Sequence, residues 1–257
     1  MDISIYFKET EFGNFCLIEN DLISNCINNY GYWESHLHYF YSRLIKEDDI
    51  VLDGGANIGF HTVQFAKLAN KGKVYAFEPQ PLIFNVLSTN SLFNGLSDII
   101  QQYRLGLSDK ESTETLTSMD NPGVYMADDC INWGGRGFTE KDGIDKATTI
   151  TIDNFNLPKL NFIKLDIQGF EYKALIGGEK TIKKNMPIIF IENYDGRCGD
   201  DIEVQKRERA PIDLLLSWGY EGYRLLIGNE DDCIFTIDKD VISLIENEKN
   251  IKFETIK

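Results

Sequence analysis

Between residues 51 and 59 the chain reads Val-Leu-Asp-Gly-Gly-Ala-Asn-Ile-Gly. A short apolar run that ends in an acid and passes at once into glycines reads as a buried strand turning sharply into a helix. Such a turn lets backbone approach a ligand closely, and it sets a helix N-terminus beside that ligand. The surrounding pattern repeats the theme. Strands are predicted over 49–53, 73–78, 99–107, 161–166 and 187–192, with helices over 59–70, 82–93, 169–184 (broken at Gly177-Gly178) and 204–218. The segments 220–227 and 233–237 read as a closing antiparallel pair. Strands alternating with helices of this length imply βαβ units and a mainly parallel sheet covered on both faces, an α/β fold.

The spacing of the turn narrows the ligand. Asp53, Gly55 and Gly59 form D-x-G-x-x-x-G, not the G-x-G-x-x-G of nicotinamide sites. An acid at the strand end would repel a pyrophosphate and hold a cationic amine. The second strand ends at Glu78, followed by Pro79, where an acid can accept both hydroxyls of a ribose. A ligand with a ribose and a cation, and no need for phosphate, fits S-adenosylmethionine. The plainer alternative is a structural glycine turn with two helix-capping acids.

These segments resemble the FkbM family of S-adenosylmethionine-dependent methyltransferases. The matching stretches are Trp33-Glu34, VLDGGANIGFHT, VYAFEP (74–79), GLSD (106–109), TIDNF (151–155), FIKLDIQGFE (162–171) and FIEN (190–193), in family order. The resemblance implies a Rossmann-like class I methyltransferase fold with an antiparallel last strand, and O-methylation of a sugar, glycan or other small hydroxylated acceptor. By position it implies that Asp53, Gly55, Asn57 and Gly59 line the methionine part of the cofactor, with Glu78 at the ribose. Leu107, Ser108 and Asp109 would sit at the adenine edge, and Glu34 would reach the amino group. The family commonly has Glu where this chain has Gln168, which can hydrogen-bond but cannot act as a base.

Methyl transfer from an activated donor asks the protein to align an acceptor oxygen and take up its proton. Ligands of such sheets lie beyond the carboxyl ends of the strands. The acids there are Asp53, Glu78, Asp166 and Glu192. With the first two given to the cofactor, Asp166 is expected to orient the cofactor amine or deprotonate the acceptor. Lys164, two residues back and on the same face, and Glu192 are its expected charged neighbours. The structural alternative is a helix-capping Asp166 beside a buried Lys164–Glu192 ion pair. His36 and His38 are expected to face different ways, and His61 to pack or hydrogen-bond beside the glycine turn. No metal site is expected, the alternative being Mg²⁺ held by Asp166 and Glu192.

Other features set limits. The 257 residues carry a net charge of −15, which argues against nucleic acid and against an anionic membrane as partners. No apolar run approaches a membrane span, and 1–4 carries no basic stretch, so no signal peptide is expected. Five scattered cysteines form no C-x-x-C pair, which favours a reducing, cytoplasmic compartment. The domain plan is a helical cap at 1–48, the methyltransferase domain at 49–240 and a tail at 241–257. Residues 117–146, with Tyr125, Trp133 and Phe138 among glycines, break the rhythm and read as a lid or acceptor loop. The competing functions are a nicotinamide-dependent oxidoreductase, disfavoured by the glycine spacing, and a cofactor-binding scaffold without catalysis.

Overall fold

The computed structural model describes residues 3–118, 130–139, 143–193, 202–226, 232–246 and 252–257. The chain opens with a hairpin, β1 (Ile5–Thr10) and β2 (Gly13–Ile18), followed by α1 (Leu22–Tyr30) and α2 (Ser35–Leu44). Asp21 caps α1 by accepting the Ser24 N–H at 2.8 Å, and Gly31 closes it in a left-handed conformation. A helical cap was expected over this region; the hairpin ahead of α1 was not, so the N-terminal cap is not purely helical. Asn90 ties the hairpin down. Its amide accepts the Cys16 N–H at 2.6 Å and donates to the Ile58 carbonyl at 2.7 Å, joining β2 to the glycine turn.

The expected βαβ units follow: β3 (Ile50–Gly54), α3 (Phe60–Leu68), β4 (Lys73–Phe77), α4 (Pro81–Phe93, with Pro at its first turn) and β5 (Ile100–Tyr103). The strand expected over 99–107 is two. After β5 the chain leaves the main sheet, and β6 (Gly106–Leu107) joins a separate four-stranded sheet with β7 (Ser112–Thr117), β8 (Phe138–Thr139) and β9 (Gly143–Ile150), in the order β6-β9-β7-β8. Gly106 permits this, because a Cβ there would meet the Phe138 ring at 2.5 Å. Part of the expected loop 117–146 is therefore sheet. Trp133–Gly135 forms a single turn of 3₁₀ helix, and Tyr125 lies outside the described residues.

The chain returns through β10 (Phe162–Leu165), α5 (Glu171–Gly177), α6 (Glu179–Asn185), β11 (Ile188–Glu192), α7 (Ile202–Ser217), β12 (Glu221–Leu225), β13 (Asp232–Thr236), α8 (Asp240–Glu246) and β14 (Phe253–Ile256). The eight-stranded sheet has the order β14-β12-β13-β11-β10-β3-β4-β5. From β5 to β11 all neighbours are parallel, whereas β13 is antiparallel to both β11 and β12. Strand β14 adds an antiparallel edge on β12, so residues expected as a tail extend the main sheet.

Successive strand residues point to opposite faces. Val51, Phe162 and Phe190 face a core shared with α1 to α4 and α8, while Leu52, Ile163 and Ile189 face a second core under α5, α6 and α7. Asp53 and Lys164 continue the first series at the strands' carboxyl ends, in direct register with each other. No helix among the described residues is long and apolar enough to cross a membrane.

Candidate functional site

A cavity of about 470 Å³ opens at the carboxyl ends of the parallel strands. Its wall includes Glu34, Asp53, Gly55, Asn57, Glu78, Leu107, Lys164, Asp166 and Glu192, nine of the residues expected from sequence. Three others lie off this wall. Gly59 starts α3 with φ +87°, under Leu87. Ser108 is buried against Gly177, where a Cβ would come within 2.0 Å of the Ser108 carbonyl, and its hydroxyl donates to Asp109 at 3.0 Å. The chain has by then turned into the smaller sheet, which takes Ser108 and Asp109 off the cavity wall.

The glycine turn is tightly built. Gly55 has φ +78°, and a Cβ on it would sit 1.8 Å from the Asp166 carbonyl oxygen. Only glycine therefore lets β3 and β10 close up beneath the cavity floor. The N–H groups of Gly55 and Ala56 both donate to the Phe77 carbonyl at 3.0 Å. Asp53 is fully buried; its Oδ2 accepts the Thr62 hydroxyl at 2.5 Å, and its Oδ1 has no hydrogen-bond partner. Burial pushes its pKa above the ordinary value, against the pull of Lys164 and of the Thr62 hydrogen bond. An unpaired buried carboxylate oxygen on a cavity wall is costly unless a ligand supplies a donor or a cation.

Glu78 follows β4. Its two oxygens accept the backbone N–H groups of Asn57 (3.0 Å) and Gln80 (2.8 Å), so it braces the turn. Burial pushes its carboxyl up to about 7, with those two bonds opposing. Glu34 enters from the N-terminal cap in a left-handed conformation (φ +46°) and meets His61 Nε2 at 2.9 Å. His61 thus hydrogen-bonds beside the turn, as expected. His36 and His38 do diverge: His36 lies 3.7 Å from Asp232, and His38 Nδ1 lies 2.6 Å from the Gln64 amide oxygen.

The other end of the cavity is a cluster. Lys164 Nζ lies 3.1 Å from Asp166 Oδ2, so the buried lysine pairs with Asp166 rather than with Glu192. Burial disfavours the ammonium, but Asp166, Asp53 and Glu34 outweigh it and hold the lysine above its ordinary value. Asp166 is also enclosed, which by itself would raise it. Lys164, a hydrogen bond with Glu192 and the Gln168 amide together hold it below the ordinary carboxylate range. Gln168 Nε2 donates to both, at 3.2 Å to Asp166 Oδ1 and 3.4 Å to Glu192 Oε2. Among the described residues no group of three or more His, Cys, Asp or Glu has the geometry to hold a metal ion.

Several site residues escape sequence reasoning. Arg136 and Gly137, from the 117–146 segment, line the cavity. The Arg136 side chain donates to the Thr117 carbonyl (2.9 Å), Asp145 (2.8 Å) and Gln80 (3.5 Å). Gln80 in turn donates to the Trp133 carbonyl at 2.9 Å. A Cβ on Gly134 would come within 2.8 Å of the Asn57 amide, and one on Gly137 within 2.9 Å of the Gln168 carbonyl. The one available signal was an arginine inside Trp-Gly-Gly-Arg-Gly, a basic residue where glycines permit close approach. Asp232, at the start of β13, also lines the wall, and nothing local in sequence marks it.

A family profile described as Methyltransferase FkbM domain matches residues 53–221. The chain is 25% identical to AMB antimetabolite synthetase AmbE of Pseudomonas aeruginosa over 230 residues, which cover 75% of this chain and 10% of AmbE. It is 28% identical to hexuronic acid methyltransferase AglP of Haloferax volcanii, with 61% of each chain covered. It is 26% identical to 2-O-methyltransferase NoeI of Sinorhizobium fredii, covering 69% of this chain and 75% of NoeI. It therefore spans less than two thirds of AmbE and of AglP. The crystal structure of methyltransferase FkbM from Methylobacillus flagellatus KT superposes with a TM-score of 0.52 at 17% identity, covering 76% of this chain and 47% of that one, and shares its fold.

Proposed function

The chain belongs to the FkbM methyltransferase family, and we propose that it is an S-adenosylmethionine-dependent enzyme that methylates a hydroxyl of a sugar, glycan or other small molecule. The observation that carries this reading is Asp53: a fully buried carboxylate at the end of β3, with one oxygen unpartnered, beside a glycine that leaves no room for a Cβ. That acid suits a cationic ligand and opposes the pyrophosphate of a nicotinamide dinucleotide. The names of AglP and NoeI, a hexuronic acid methyltransferase and a 2-O-methyltransferase, support a sugar hydroxyl as acceptor.

The residues present fit the cofactor. Asp53, Gly55 and Asn57 would hold its methionine part, Glu78 its ribose, and Leu105, Leu107 and Phe77 would offer apolar contact for its base. When bound, S-adenosylmethionine supplies a methyl group already activated on a sulfonium. What remains for the chain is alignment of the acceptor oxygen and removal of its proton. Asp166 is kept ionised by Lys164 and is therefore a weak base; it accepts a hydrogen bond from the acceptor hydroxyl and orients its lone pair. Asp166 takes up the hydroxyl's proton as the oxygen–methyl bond forms, held in place by Lys164 and the Gln168 amide. Partners other than a small acceptor are not proposed, and the acid-lined wall is unsuited to nucleic acid. Cysteine usage favours a cytoplasmic setting.

Calorimetry with S-adenosylhomocysteine and with NAD tests the cofactor half. Binding of the first alone is expected, and stabilisation by NAD alone would remove this reading. Turnover on a panel of neutral sugars, uronic acids and small phenols tests the acceptor half. Cofactor binding without turnover on any of them would favour the non-catalytic scaffold.

A further inference from the structure

Residues 131–138 touch each of the loops that follow β3, β4 and β10. Their start is fastened to the N-terminal cap: the Ile131 N–H donates to the Asn20 carbonyl at 2.8 Å, and the Leu22 N–H donates to the Ile131 carbonyl at 2.9 Å. Farther along, Gly134 packs on the Asn57 side chain and Gly137 on Gln168, with no space for a Cβ at either. Between these two contacts the hold is on Gln80, a buried residue two places beyond Glu78. Its side-chain amide donates to the Trp133 carbonyl at 2.9 Å and accepts from Arg136 Nη1 at 3.5 Å. Its backbone N–H donates to Glu78 Oε1 at 2.8 Å, while Glu78 Oε2 accepts the Asn57 N–H at 3.0 Å. One residue thus joins the acid given to the ribose with the stretch that carries Arg136. Trp133 and Arg136 are themselves buried, so parting them from Gln80 would strand a carbonyl, a guanidinium N–H and both ends of an amide away from water. The three residues hold together or come apart together.

We propose that Gln80 is a positioning residue that couples cofactor binding to residues 131–138: a ligand held on Glu78 fixes the loop after β4, and the Gln80 amide passes that order to Trp133 and Arg136. The coupling rests on the methyltransferase reading for its ligand, but the link itself is a property of the chain alone. Gln80 lines the cavity, yet both ends of its amide are engaged within the protein, so it acts through Glu78 on one side and Arg136 on the other. The consequence is an order of assembly. Once the cofactor is in place, the wall from Gly134 to Gly137 is set, and with it one side of the space left for the acceptor. The acceptor then meets a wall whose ordering cost has already been met, and it binds the loaded protein more tightly than the empty one.

Hydrogen–deuterium exchange of the purified full chain tests this, read by mass spectrometry on peptides covering 53–62 and 130–139, with and without S-adenosylhomocysteine. In the unaltered protein the ligand should slow exchange in both peptides, by about tenfold at 130–139. Gln80→Met keeps the length of the side chain and neither of its hydrogen bonds. Without ligand, its 130–139 peptide should exchange faster than that of the unaltered protein. With ligand at a saturating concentration, protection should return at 53–62 but not at 130–139. Gln80→Glu keeps an acceptor for Arg136 and loses the donor for Trp133, so it should fall between the two. Ligand protection at 130–139 that survives in Gln80→Met would overturn the proposal, as would faster exchange spread evenly over the whole chain, the mark of lost stability alone. If S-adenosylhomocysteine protects neither peptide of the unaltered protein, the methyltransferase reading fails and the coupling with it. The ligand-free comparison at 130–139 then decides by itself whether the Gln80 link exists.

Discussion

Glu78 and Asp166 stand in equivalent places, each one residue beyond the end of a parallel strand on the same cavity wall. Burial would raise both. Yet Glu78 is pushed up to about 7, while Asp166 is held below the ordinary range. Glu78 has only two backbone N–H donors, whereas Asp166 has an ammonium at 3.1 Å, a carboxyl partner and an amide. The strand end decides where an acid is presented, and its partner decides what the acid can do. An acid near 7 is neutral part of the time and suits hydroxyl contacts. One locked in its anionic form suits orienting a reacting oxygen and holding a cation.

Removing the partner should erase the difference. Lys164→Met leaves the buried Asp53 and the half-buried Asp166 without their counter-charge, so a loss of about 3 kcal/mol is expected in urea unfolding. Equal stability in the variant would mean that the lysine is dispensable and the contrast has another cause. Glu78→Gln approaches the comparison from the other side. Glu78 has a folded pKa near 7 and an unfolded one near 4.5, so its contribution is present below 4.5 and lost as pH rises through 7. The unaltered protein should therefore lose on the order of 3 kcal/mol over that window through Glu78, with Glu171, likewise near 7, sloping the same way. The Gln variant should show a shallower decline, and an unchanged slope of stability against pH would refute the assignment. Binding of S-adenosylhomocysteine should also weaken below pH 7, as Glu78 takes up its proton and loses an acceptor site.

Gly55 joins the two strand ends, its N–H on Phe77 and its α-carbon against Asp166. Gly55→Ala should cost about 1–3 kcal/mol in stability and weaken S-adenosylhomocysteine at least about tenfold, measured by thermal unfolding and calorimetry. The smallest effect belongs to Arg136→Lys. It keeps the charge but loses the fork that reaches Thr117 and Asp145 together, and since Asp145 is half exposed, about 1 kcal/mol is expected. A larger loss confined to ligand binding would show that the arginine contacts the ligand itself.

The strand-end acids and the glycine turn were legible because hydrophobic periodicity locates strand ends, and ligands of parallel sheets gather there. The two-residue alternation of Lys164 and Asp166 likewise predicted a shared face, although not that they would pair with each other. The N-terminal hairpin was not legible: β2 is buried on both faces from Phe15 onward, so its residues do not alternate. Nor was β14, whose four residues become a strand only because β12 offers a free edge. Ser108 and Asp109 lie off the cavity wall for a related reason. A strand that changes sheets between Tyr103 and Gly106 looks continuous in sequence, and only the packing of Gly106 against Phe138 marks the departure. Arg136 and Asp232 reach the wall through long-range placement, which no local pattern encodes.

The excursion that carries Arg136 leaves and rejoins the chain at one place, because Gly106 and Leu107 pair in parallel with Thr149 and Ile150. Its ends are held whatever lies between them. For a flexible loop, the entropy of closing such a circuit grows only with the logarithm of its length, so doubling it costs about 0.6 kcal/mol. Length can therefore be added between these ends at little cost in closure entropy, whereas Ile131 and Trp133 within the segment are fixed by packing into the main core. Residues such as Gly55, with no space for one more carbon, have no such latitude. The molecule thus joins an evolutionarily permissive cover to an evolutionarily rigid floor, and changes of acceptor among its relatives are expected to be written in the cover.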